Sequence, residues 1–128
     1  MTASIEEAQR FLRIARSDLR AFDILANHPD SEFGPTCFHA HQAIEKSLKA
    51  VLTLLELDFP RTHDLEELAQ SIIDHGVNPP ITPRDYRRLN PFAVAFRYDD
   101  QIIALVTREE AGRIARQTLA WAETVVSA

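Results

Sequence analysis

Four polar side chains that could do chemistry lie within one short stretch: Gln42, Glu45, Lys46 and Lys49. At 3.6 residues per turn they share one side of a helix, with Lys46 about one turn from both Gln42 and Lys49. Two ammonium groups and an amide so placed could hold a phosphate. The plainer reading is an ordinary i,i+4 pair between Glu45 and Lys49 on a solvated face, a contribution of about 0.3–0.5 kcal/mol. His39, three residues before Gln42, belongs at the N-terminal end of the same polar face. His41 falls instead on an apolar seam with Cys37 and Ile44, the pattern of a hydrogen-bonded core histidine. That seam also makes Cys37 a packed thiol rather than a nucleophile activated by His41.

Two further positions invite a chemical reading. His63 lies next to a helix start, where it either belongs to the turn or points a titratable ring at a site. Arg97-Tyr98-Asp99-Asp100 is a compact polar cluster in which Arg97 could pair bidentately with phosphate while Tyr98 stacks on a base. Equally, Arg97 could pair with Asp99, Asp100 or Glu45. There is no glycine-rich phosphate loop, no G-x-S-x-G elbow, no H-E-x-x-H and no zinc-finger spacing, so no metal and no cofactor is expected.

A scaffold must bring these residues together. The 128 residues suit one domain, 1–128, and 45% hydrophobic against 26% charged residues excludes disorder as the default state. A formal charge of −5 argues against whole-molecule attraction to polyanions, so a nucleic-acid site has to be a local basic patch. The lone Cys37 forms no internal bridge, no apolar run reaches membrane-spanning length, and the opening MTASIEEAQR lacks the order of a secretory signal. A cytoplasmic protein without membrane contact is expected.

Only three glycines occur, and apolar residues recur at gaps of three and four, which predicts an all-α, up-and-down bundle of four to five helices. Ala8, Leu12, Ala15, Leu19, Phe22 and Ala26 define a first helix over 4–26, with Ser4 and Glu7 as a capping box. Cys37, His41, Ile44, Leu48, Val51 and Leu55 define a second over 36–57, flanked by the small stripe Ala40, Ala43, Ser47 and Ala50. Asp64 and Glu67 start a third helix that Gly76 ends. Thr82, Pro83 and Asp85 start a short fourth, anchored by Leu89 and Phe92 and kinked or broken at Pro91. Thr107 and Glu110 start a last helix that runs to the C-terminus.

The segment Ala40-His41-Gln42-Ala43-Ile44-Glu45-Lys46-Ser47-Leu48-Lys49-Ala50, followed by Arg61-Thr62-His63-Asp64-Leu65 and by Arg97-Tyr98, resembles the HEPN domain family in both order and spacing. The resemblance implies a helical bundle that commonly forms homodimers. In prokaryotes, such a domain is often encoded beside a minimal nucleotidyltransferase in a toxin–antitoxin-like pair. Nucleotide binding has also been proposed for the family, and many members are metal-independent ribonucleases with an R-x(4-6)-H motif. None of the five histidines here has an arginine five to seven positions before it. The nuclease assignment therefore does not carry over, and the tyrosine modified in some relatives cannot be placed on Tyr98.

Two functions follow as expectations. One is a non-catalytic nucleotide- or RNA-binding partner of a separately encoded nucleotidyltransferase. Its ligand residues would be Gln42, Lys46, Lys49, His63, Arg97 and Tyr98, with His39 and Glu45 in support. The other is a ribonuclease with a departed motif, in which His39 or His63 is the acid or base and Arg97 stabilises the phosphate. Both rest on a helix that turns Gln42, Lys46 and Lys49 outward.

Overall fold

The computed structural model describes residues 2–93 and 106–127, and every regular element among them is helical. The elements are α1 (Thr2–Ala26), α2 (Phe33–Leu54), α3 (Leu65–Ile73), α4 (Pro83–Arg87), a 3-10 turn (Asn90–Ala93) and α5 (Arg108–Ser127). The all-α helical bundle expected from the apolar spacing is the fold observed.

Helix α2 lies at the centre, in contact with α1, α3, α5 and the 3-10 turn. Its small stripe explains the position: Ala40, Ala43, Ser47 and Ala50 are completely buried, so neighbouring backbones approach closely. The larger seam residues Ile44, Leu48 and Val51 are equally inaccessible, as is the neighbouring Leu52, while Leu55 is only partly buried; full burial of such a side chain is worth about 1.5–3 kcal/mol. Helix α1 contributes Ala8, Leu12, Ala15 and Phe22, and α5 contributes Ala111, Ile114, Ala115 and Ala122. Gly112 lets α5 lie close to α1, because a Cβ there would sit 2.7 Å from the Phe22 ring, and 2.6 Å from the Arg116 guanidinium of α5 itself.

Local sequence chemistry sets several helix ends as expected. The Asp64 side chain accepts from Glu67 N, and Thr82 accepts from Asp85 N ahead of Pro83 in the first turn of α4. Thr107 and Glu110 form a reciprocal box, each backbone N–H donating to the other's side chain at 3.1 Å. Gly76 takes a positive φ of 83° beyond α3. Leu89 and Phe92 are buried anchors, and Pro91 lies in the 3-10 turn that replaces the α-helix there.

Three expectations are corrected. Helix α1 begins at Thr2, so Ser4 is already inside it and its hydroxyl donates to Glu56 instead of capping, while Glu7 pairs with Arg10. Helix α2 begins at Phe33 rather than Thr36, since Pro35 falls in the first turn, where no N–H is required. It ends at Leu54 rather than Leu57. There Glu56 adopts a left-handed φ of 58°, Leu57 N donates to Leu52 O, and Glu56 N donates to Thr53 O. This is a Schellman stop without its usual glycine.

Candidate functional site

Glu45 lies midway along α2, one turn after His41 and one turn before Lys49. Its carboxylate is completely buried and is held by side chains from two parts of the chain. Oε2 accepts from Lys49 Nζ at 3.0 Å and from Lys46 Nζ at 3.3 Å. Oε1 accepts from His63 Nδ1 at 2.7 Å, across the junction between α2 and the segment leading into α3. A carboxylate can only accept, so His63 carries its proton on Nδ1.

His41 fixes the same segment by a different atom. Its Nε2–H donates to the His63 carbonyl at 3.0 Å, so α2 grips residue 63 by both backbone and ring. The other His41 nitrogen, Nδ1, is buried without a hydrogen bond and faces Glu45 Oε1 at 3.9 Å. Burial pushes the His41 ring down to about 4, partly opposed by the Glu45 charge and the His63 carbonyl, so the ring is neutral near neutral pH. For Glu45, burial alone would raise the carboxyl. The hydrogen bonds from His63 and Lys49, with the Lys49 charge, together outweigh burial and hold it below the ordinary carboxylate value.

Lys46 and Lys49 are the only lysines in the chain, and both converge on one carboxylate oxygen. Every other fixed cationic side chain is an arginine. A compact ammonium suits this convergence better than a planar guanidinium, because it meets a point acceptor with one of three donors and keeps two. Lys49 Nζ also lies 5.9 Å from the centre of the Phe59 ring, within reach of a cation–π contact.

The face predicted to be solvated is thus largely covered. Side-chain exposure is nil for Glu45, 12% for Lys49 and 21% for Lys46, whereas His63 is 65% exposed. The physical reason is the segment ahead of α3, which lays His63 across Glu45. Glu45 is accordingly the centre of the cluster rather than a support. Gln42 is partly buried, and among the described residues no hydrogen bond joins it to Glu45 or its partners.

His39 stands apart: its Nδ1 lies 3.1 Å from Asp18 Oδ1 on α1, and its ring meets Phe38 edge-on. His41 is the residue that spacing assigned to the core without connecting it to the site. Its i,i+4 relation to Glu45 was the available signal. Cys37 is buried as expected, and burial pushes its thiol up to about 12. Arg97 and Tyr98 lie outside the described residues. Among the described residues, no group of three or more His, Cys, Asp or Glu side chains is placed to hold a metal ion, and no helix is long and apolar enough to cross a membrane.

Chemically, the cluster presents two ammonium groups and one oriented imidazole gathered on a single inaccessible negative charge. With a neutral His63 ring its net charge is +1. A protein-family model described as HEPN domain matches residues 8–126. No curated protein and no solved structure matches the chain significantly.

Proposed function

The chain belongs to the HEPN domain family, and from that premise we propose that it is a non-catalytic module that binds a nucleotide or RNA phosphate. In this reading it serves a separately encoded minimal nucleotidyltransferase in a toxin–antitoxin-like pair and acts as a homodimer in the cytoplasm. The observation that carries the binding reading is the convergence of Lys46, Lys49 and His63 on the buried Glu45, which leaves spare ammonium donors in a net-positive cluster. Gln42 on the same helix, and Arg97 and Tyr98, complete the proposed ligand set, with His39 outside it. The partner is supported by the family pattern alone.

Calorimetric titration of the full chain with ATP, GTP and a short RNA tests the binding. Saturable heat is expected, and it should be lost in the Lys46→Ala, Lys49→Ala double variant. Absence of heat with all three, or binding untouched by the double variant, refutes the site.

A second reading is favoured by one observation. The Glu45 carboxylate orients the His63 ring through Nδ1 and leaves Nε2 as a basic nitrogen on an exposed side chain, the arrangement of a positioned general base. RNA cleavage in EDTA by the native chain, abolished in His63→Ala, would establish a ribonuclease. Intact RNA at every protein concentration removes that reading.

A further inference from the structure

The donors of the cluster can be counted. Each lysine ammonium has three N–H donors and gives one to Glu45 Oε2, which leaves two on each. His63 gives its Nδ1–H to Glu45 Oε1, so in the neutral ring the remaining nitrogen, Nε2, is an acceptor. Phosphate oxygens also accept, and the neutral ring therefore has nothing to offer an ionised phosphate. A second proton on Nε2 makes the ring a donor on both sides, one toward Glu45 and one toward the ligand. It also raises the charge of the cluster from +1 to +2.

The two classes of phosphate match these two states differently. A phosphodiester brings one negative charge and two non-bridging oxygens. A terminal phosphate monoester brings a charge of about −1.5 to −2 near neutral pH and three strong acceptor oxygens. Only the monoester matches the doubly positive state in charge, and its three oxygens can each take a donor from one of the three groups Lys46, Lys49 and His63. Low exposure of the lysine side chains, 21% for Lys46 and 12% for Lys49, reduces solvent screening and sharpens the distinction.

On the binding reading above, we infer that this site is selective for a terminal phosphate monoester, as in a nucleoside 5′-monophosphate or a phosphorylated RNA end, and that capture adds a proton to His63. The groups around the ring are consistent with this. From α2 it faces the Glu45 carboxylate and the neutral His41 ring, whose centre is 6.4 Å away, with Lys46 and Lys49 on the other oxygen of Glu45. On its own segment the next residue is Asp64, whose carboxylate is engaged by Asn90 Nδ2 at 3.0 Å and Glu67 N at 3.3 Å. Two residues before it, Arg61 is exposed.

The test is calorimetry on the full chain at pH 7.5, in two phosphate-free buffers of different ionisation heat, with AMP, adenosine 3′,5′-cyclic monophosphate and adenosine as probes. AMP is expected to bind at least about tenfold tighter than the cyclic diester, the worth of one extra charged hydrogen bond. Its apparent heat should differ between buffers by the amount that proton uptake requires. His63→Gln, a change at an exposed position, should remove the uptake and bring AMP close to the cyclic diester. Equal affinities, or AMP binding with buffer-independent heat, overturn this inference while leaving the binding reading intact. Failure of AMP and of the cyclic diester to bind overturns this inference, and the binding reading falls with it where ATP, GTP and the short RNA also give no heat.

Discussion

The Glu45 carboxylate and the His63 ring meet at 2.7 Å, joining the middle of α2 to the chain just ahead of α3. Because Glu45 is inaccessible and His63 is not, this contact is where a buried charge reaches the surface. It also sets the position of the connection over residues 55–64, which has no helix of its own to hold it.

Replacing that charge without changing shape isolates its role. Glu45→Gln leaves two ammonium groups without their counter-charge, and the loss expected is about 2 kcal/mol, below the value for a sealed ion pair because the lysines and His63 retain some access to water. The connection should loosen as well. Urea unfolding measures the first effect, and faster tryptic cleavage after Arg61 under native conditions measures the second.

His41 makes the fold acid-sensitive. Its ring titrates near 4 when folded and near 6.5 when unfolded, so between these values the unfolded chain binds a proton that the folded chain excludes. Stability therefore falls as pH drops from 6.5 toward 4, by about 2 kcal/mol at pH 5. Glu45, held below its ordinary 4.5, adds a loss of the same sign that begins only below that value. Urea midpoints at pH 7.5 and pH 5 should differ in the native chain, and the difference should shrink in His41→Gln.

Tyr86 was not foreseen as a core residue, yet it is completely buried in α4, with its hydroxyl 2.9 Å from Thr118 Oγ1 on α5. Burial pushes the phenol well above its usual value, so it stays neutral and hydrogen-bonded. Tyr86→Phe keeps the ring and removes the bond. A loss of about 1 kcal/mol is expected in chemical denaturation, because Thr118 still donates to Ile114 O.

Glu56 holds a left-handed backbone that costs a non-glycine residue about 1–2 kcal/mol. Glu56→Gly relieves it, at the expense of an exposed hydrogen bond from Ser4 and of added freedom in the unfolded chain. The net expectation is a gain of about 0.5 kcal/mol or more, read as a higher melting temperature.

The contrast between these ends shows what a sequence reveals. The starts of α4 and α5 were legible because Thr82-Pro83 and Thr107/Glu110 act within a few residues of themselves. The end of α2 was not, since its left-handed residue is a glutamate that no local preference selects. At the site, the proximity of Lys46 and Lys49 was legible from helical spacing alone. The burial of Glu45 was not, because the ring that covers it belongs to His63, eighteen residues away, and nothing local to either residue encodes that pairing.

Because Lys46 and Lys49 are the only lysines, selective ¹³C-lysine labelling gives a spectrum of two side chains, both in the cluster. Titration with AMP is the most direct test that the cluster receives an anion. Both sets of ε-methylene signals should shift together and saturate with the affinity found by calorimetry. Signals that stay fixed while AMP binds would place the ligand elsewhere and contradict the role assigned to Lys46, Lys49 and His63.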